Sequence, residues 1–217
     1  MTDFASRRRM MVDTQVRPSD VTKFPIIAAM LDVPREAFLP SEKAEVAYAS
    51  ENVTLSKGRV VLEPRTFGKM LDALALDDSM LVLDIGSGYG YSAAVIAQIA
   101  EAVVAVEEEE DLAREAQDLL AEHHADAVIL KEGPMAEGAP EHGPYDAIII
   151  EGGIEVLPEG IADQLKEGGR IACIFMDKAL GTVRIGHKLD GHLTWRFAFN
   201  AGAPILKGFE RKTEFAL

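Results

Sequence analysis

Residues 82–94 read VLDIGSGYGYSAA. Gly86, Gly88 and Gly90 fall where a continuous apolar run, MLVLDI, gives way to a stretch of small residues, YSAAVIAQIA, that reads as a helix. Glycines at a strand-to-helix turn reach positive φ and let a ligand approach the backbone with no Cβ in the way. With Ser87 after the first glycine, the pattern is GxGxG. The dinucleotide fingerprint sets its third glycine one position later, where Tyr91 stands, so the spacing argues against a pyrophosphate. Asp84 is an acid at the carboxyl end of a buried strand. It needs a donor there, and a cationic amino group or an ordered glycine loop would supply one.

Two further acids follow at strand ends. AVVAVE puts Glu107 after an apolar run, at a spacing from Asp84 that suits an acceptor for the two hydroxyls of a ribose. LKEGP puts Glu132, beside Gly133, at the end of the next strand, where an acceptor reads an adenine amino group. A lone strand-end acid is commonly a helix cap or a surface charge. Three in succession around a glycine loop point to a nucleoside site at the sheet edge where open α/β sheets bind ligands. Glu108, Glu109 and Glu110 read as a solvated first helical turn, favoured by the helix dipole.

The elements that must position these residues are legible from pattern. From about residue 79 the chain alternates apolar strand-like runs (MLVLDI, AVVAV, AVILKEG, YDAIIIEGG, GRIACIF) with helical stretches (YSAAVIAQIA, DLAREAQDLLAEH, GIADQLKEGG). Such alternation builds a parallel sheet covered by helices on both faces. Gly168 or Gly169 is expected to end the last of these helices. The segment TVRIGHKLDGHLTWRFAF reads as two strands around LDGH, a hairpin at one edge. The expected fold is therefore α/β, a Rossmann-like doubly wound sheet of about seven mostly parallel strands with a C-terminal edge hairpin. Residues 1–78 form a helical, substrate-side segment before it, and residues 79–217 the ligand-binding domain, together one unit. In the first segment, TKFPIIAAML reads as a helix capped by Thr22 with Pro25 in its first turn. VPREAFLP is a turn with a short helix, and TFGKMLDALAL has helical spacing of Phe67, Met70, Leu71 and Leu74.

Composition narrows the function. The 217 residues are 48% hydrophobic and carry 36 acidic against 22 basic side chains, a net charge of -14. That balance disfavours a nucleic-acid partner. Arg7, Arg8 and Arg9 are followed by no apolar export region, since Asp13, Gln15 and Arg17 interrupt at once. No apolar run is long enough to span a membrane. Cys173, the single cysteine, lies in the run IACIF and reads as a buried inert thiol, in keeping with a cytoplasmic setting. His123 and His124, on what reads as a solvated helix, have no metal-ligand spacing, and no metal site is expected.

LDIGSGYGYSAAVIA resembles the cofactor loop of class I S-adenosylmethionine-dependent methyltransferases. MVDTQVRPSDV, AAMLDVPREAFLP, Ala47-Tyr48, PYDAIII, VLPEGIADQLKEGGR and AGAPILKGF resemble, more narrowly, the protein-L-isoaspartate O-methyltransferase family, over nearly the whole chain. The resemblance implies transfer of a methyl group from S-adenosyl-L-methionine to a carboxylate of damaged aspartyl residues in proteins or peptides. By position it assigns Asp84, Gly86, Ser87, Gly88, Gly90 and Tyr91 to the cofactor loop, Glu107 to the ribose, and Glu132 with Gly133 to the adenine.

The chain departs from that family at residues 51–66, ENVTLSKGRVVLEPRT. The family pattern G-Q-T-I-S-Q-P keeps Gly58 and Pro64 but holds Arg59, Val60, Leu62 and Glu63 at its first Gln, Thr, Ser and second Gln positions. Arg59, Val60 and Leu62 are thus the candidates for the substrate wall, with two hydroxyls lost. Arg59 or Arg65 offers a guanidinium for a carboxylate instead, although both also read as surface arginines. Glu151 stands where the family has a small or hydroxyl residue, and an acid there helps hold a cation while repelling an anionic acceptor. A different methyl acceptor, or S-adenosylmethionine binding without turnover, is the alternative reading.

Overall fold

The computed structural model describes residues 3–211. The chain opens with α1 (Phe4–Met11), a π-type turn over Val12–Val16 and α2 (Phe24–Asp32). Thr22 does not cap α2. Lys23 occupies the cap position without a side-chain bond, and Pro25 lies in the first turn, where no amide partner is lost. Short 3-10 turns over Arg35–Phe38 and Ser41–Val46 lead to a hairpin of β1 (Val53–Ser56) and β2 (Arg59–Val61), and then to α3 (Pro64–Leu74). Pro64 opens α3, left-handed Ala75 closes it, and Phe67, Met70, Leu71 and Leu74 form its buried face.

The alternating half contains β3 (Leu81–Ile85), α4 (Tyr91–Ala97), β4 (Ala102–Glu107), α5 (Glu110–Glu122), β5 (Val128–Glu132), β6 (Tyr145–Ile154), α6 (Glu159–Asp163), β7 (Leu165–Asp177), β8 (Leu180–Leu189) and β9 (His192–Asn200). The seven strands β3–β9 form one sheet in the order β5-β4-β3-β6-β7-β8-β9. The first five run parallel, and β8 and β9 return antiparallel as a meander. The β8–β9 turn is Asp190-Gly191, both at positive φ, the geometry that matches strand twist in a two-residue hairpin.

Two further expectations are corrected. The helix read over GIADQLKEGG ends at Asp163. Leu165 already pairs with Tyr145, and the register slips before Arg170 pairs with Ala147. Gly168, at φ +79°, therefore relieves an irregular strand start rather than ending a helix. His123 caps the C-terminus of α5 with its ring 5.1 Å from that of Phe38, so it is not part of a solvated helix face.

Side chains alternate across the sheet. Val82, Val103, Ala105, Ile149 and Ile174 face a core shared with α2, α3, α4 and the β1–β2 hairpin. Leu83, Ile85, Val104, Val106, Ile148 and Cys173 face a second core, closed by Met135, Ile161, Leu206 and Phe209. Near-continuous apolar strands of this kind are what burial on both faces requires. Among the described residues, no helix is long and apolar enough to cross a membrane.

Candidate active site

The parallel strands end together, and that edge collects the acids. Asp84 and Glu107 are fully buried at the ends of neighbouring strands, and Glu151 is 4% exposed in β6 on the other side of β3, one residue past the last β3–β6 pair. The glycine loop spans the gap from β3 to α4. Gly86, Gly88 and Gly90 all have positive φ. A methyl group at Gly88 would collide with Leu55 Cδ1 of the hairpin, so here the missing Cβ is a matter of close approach as well as of torsion.

Glu107 organises this loop. Its Oε2 accepts from Gly88 N at 2.8 Å, and its Oε1 accepts from Glu108 N at 2.9 Å and Glu109 N at 3.1 Å. Gly86 N donates to Val106 O at 2.8 Å, fastening the other end of the loop to β4. Asp84 is held differently. Ser92 Oγ, in the first turn of α4, donates to its Oδ2 at 2.6 Å, while Oδ1 is buried without a partner. Burial pushes the Asp84 carboxyl up to about 7, with the nearby negative charge of Glu107 adding to the rise. Burial also raises Glu151 well above the usual carboxylate range, and Asp84 reinforces this.

Asp84 Oδ1, Ser87 Oγ and Glu151 Oε1, on residues at this one sheet edge, are buried without a partner. Buried polar atoms are normally satisfied. A ligand with a cationic group and hydroxyls fits this set: the carboxyls take the cation, and the loop accommodates the nucleoside against its backbone.

Arg59 is not a surface arginine. It is 3% exposed, and its Nη2 donates to Glu107 Oε2 at 2.5 Å. Arg65 is half-exposed, 5.5 Å above the Phe199 ring. Val60, Val61 and Leu62 are buried in the first core, Leu62 at 1% exposure, and Val60 pairs with Thr54 across the hairpin. Glu132 is exposed at the end of β5, and Gly133 N donates to Glu107 O at 3.0 Å. The ring of Tyr91 turns away from the loop to pack on Phe38 and Phe67, beneath the Arg35 guanidinium, so its contribution to the loop is its backbone. The three-acid run is less solvated than expected: Glu109 accepts from Ser56 Oγ and Glu108 pairs with Lys207.

Three participants were not picked out from the sequence. Ser92 on Asp84, Leu55 against Gly88 and Leu206 beside Gly86 reach the site from elements whose packing only the fold determines. Ser92 left the strongest trace, as a hydroxyl in the helical turn directly after the glycines.

The profile of the family described as Protein-L-isoaspartate(D-aspartate) O-methyltransferase matches residues 7–190. This chain belongs to that family. Protein-L-isoaspartate O-methyltransferase 1 of Rhodopseudomonas palustris is 38% identical over 170 residues, covering 78% of this chain and 69% of that protein. Protein-L-isoaspartate O-methyltransferase 2 of Pelobacter propionicus is also 38% identical, over 76% of this chain and 73% of its own length. A solved protein-L-isoaspartate O-methyltransferase superposes with a TM-score of 0.83 at 26% identity, over 93% of this chain and 66% of that one. A Plasmodium falciparum structure, described as a putative member in complex with S-adenosyl-L-homocysteine, gives a TM-score of 0.80 over 95% of this chain and 99% of its own. At 19% identity that likeness shows the fold alone. In this isoaspartyl methyltransferase family member the glycine loop, the two strand-end acids and the covering hairpin all fall inside the matched residues.

Proposed function

We propose that this protein is an S-adenosylmethionine-dependent O-methyltransferase that esterifies a carboxylate of damaged aspartyl residues in proteins or peptides, in a cytoplasmic setting. The observation that carries the reading is the cluster of Asp84, the Gly86-Gly88-Gly90 loop and Glu107 at one sheet edge. Asp84 and Glu151 face the cationic end of the cofactor. Gly86, Ser87, Gly88, Gly90 and the backbone of Tyr91 cradle its middle. Glu107 takes the ribose hydroxyls, and Glu132 with Gly133 borders the adenine. The bound cofactor supplies an activated methyl group on a cationic sulfur.

The chain's own work is then alignment and exclusion of water. An acceptor carboxylate has an ordinary pKa near ~4 and is ionised at neutrality, so no general base is required. Proximity and orientation of this kind account for roughly 7–11 kcal/mol of a barrier. The hairpin above the glycine loop is the element that excludes water, since Leu55 covers Gly88.

A specific observation favours a second reading, a different acceptor. The positions where the family's hydroxyls are expected are Val60 and Leu62, both buried, and Glu151 adds a third buried acid. Incubation with methyl-labelled S-adenosylmethionine and an isoaspartyl peptide separates the two. Base-labile methyl ester is the expected product. Absence of ester from protein that still binds S-adenosylhomocysteine would eliminate the repair activity and leave the second reading.

A further inference from the structure

The Glu107 carboxylate already has four donors: the amides of Gly88, Glu108 and Glu109, and Arg59 Nη2. An ionised carboxylate offers about four lone-pair sites, so the set is complete. Hydroxyls that bind Glu107 must therefore replace one of these donors. The three amides belong to the glycine loop and to the turn that starts α5, and releasing them would undo both strand-to-helix turns. Arg59 alone is a side chain from another element.

The base of that element, Val53, Val60 and Val61, is buried in the first core, and its tip is lightly tied. Among the described residues, β1 and β2 pair only with each other and join no strand of the main sheet. Gly58, with φ +80° and nothing within 4 Å of an added Cβ, forms the open turn beside Arg59. Lys43 Nζ donates to Thr54 O in β1 at 2.5 Å, and beyond it, apart from Leu55 over Gly88, the tip from Ser56 to Arg59 is fastened by two side-chain contacts, Ser56 Oγ to Glu109 at 3.0 Å and Arg59 to Glu107. Arg59 is also poorly served where it lies, because Nε and Nη1 are buried with no partner. A methyl group at Gly86 would sit 3.0 Å from Nη1 and 3.2 Å from Nη2, which puts the guanidinium directly on the cradle. Outside it a cleft of about 260 Å³ lies between Lys57, Glu108, Met135 and Lys207. Small-molecule sites are usually ~300–1,000 Å³. Larger concavities of about 650 and 680 Å³ lie elsewhere, against β9 and around Pro140, away from the loop.

We infer that Arg59 is a displaceable counter-ion that competes with the cofactor's ribose for Glu107, so that cofactor affinity is set by an exchange within the chain. The inference rests on the reading of Glu107 as the ribose acid. It also gives Arg59 a role distinct from that of a fixed anchor for the acceptor carboxylate. If Arg59 stayed on Glu107 beside the bound cofactor, its removal would leave affinity unchanged or weaken it. If it must leave, its removal strengthens binding twice over: the competitor is gone, and Glu107 is left needing the hydroxyls.

Calorimetric titration of S-adenosylhomocysteine into the wild type, Arg59→Gln and Arg59→Lys tests this, with folding of each checked by circular dichroism. Arg59→Gln is expected to lower Kd by about tenfold or more. Arg59→Lys, which keeps the charge but not the planar fork, is expected to lower it by a smaller factor. Unchanged or weaker binding in Arg59→Gln overturns the inference, as it does in Arg59→Lys should the glutamine variant not fold. Failure of all three proteins to bind removes the cofactor reading itself and this inference with it.

Discussion

Arg35 Nη2 donates to the carbonyl oxygen of Leu62 across 2.8 Å, inside the protein, with neither residue more than 1% exposed. Arg35 Nε also donates to Ala47 O at 2.7 Å, and the guanidinium stacks 4.9 Å above the Tyr91 ring. One side chain thus ties the 3-10 turn it starts, the segment before the hairpin and the strand that leaves it to the first helix after the glycine loop. Arg35→Ala would leave two buried carbonyls unpaired and a cavity beside Tyr91. The expected loss is about 3–5 kcal/mol, read from the urea midpoint with the slope unchanged. Arg35→Lys, with one point charge for a planar fork, is expected to recover less than half of it.

Asp84 makes stability depend on pH. In the folded protein its carboxyl keeps a proton up to about 7, while in the unfolded chain it ionises near its ordinary value of 3.8. Between these values the folded state binds more protons than the unfolded state, so stability falls as pH rises from about 4 through about 7 and then levels off. Asp84→Asn is expected to flatten this slope and to raise stability at pH 8 by on the order of 4 kcal/mol. Ser92→Ala, which removes the hydrogen bond favouring the ionised form, is expected to move the midpoint of the slope upward. Thermal melts across pH 4–8 check both, and an unaltered slope in Asp84→Asn would contradict the assignment.

Gly88 is expected to tolerate no side chain. Gly88→Ala meets a backbone at φ +58° and Leu55 Cδ1 at once. A cost of about 1–2 kcal/mol is expected, with weaker S-adenosylhomocysteine binding. Adding Leu55→Ala relieves the collision and not the torsion, so the double variant is expected to recover binding only in part. Full recovery would mean that the torsion is unimportant.

The two aliphatic positions under the hairpin are expected to respond unequally to restored hydroxyls. Leu62→Ser removes a fully buried side chain and is expected to cost about 3 kcal/mol or more. Val60→Thr keeps the shape, buries one hydroxyl and is expected to cost about 1–2 kcal/mol. Val60→Thr is therefore the variant in which isoaspartyl-peptide methylation is best compared with wild type, and equal losses in the two would show that Leu62 can relax.

The sequence by itself determined the elements whose signal is local. A run such as LVLDI, buried on both faces, reads as a strand from its apolar continuity, and Gly86-Gly88-Gly90 after it reads as a ligand loop from its torsional freedom. Asp84 and Glu107 were legible for the same reason, since a strand end followed by a turn marks an acid as edge-facing. The DG turn at residues 190–191 is equally local. Competing local signals were decided by the fold. The helix expected through GIADQLKEGG stops at Asp163 because Leu165 pairs with Tyr145, and a ladder bond between strands outweighs helix propensity. Thr22 looks like a cap, but Lys23 takes the position. Only the tertiary structure decided what Arg59 does. Its partner lies 48 positions along the chain, and the guanidinium and carboxylate meet because a separate hairpin folds down over the sheet edge. Residue type alone suits an arginine to the surface or to a buried carboxylate alike. Packing removed the water, and an arginine without water must take the nearest acid.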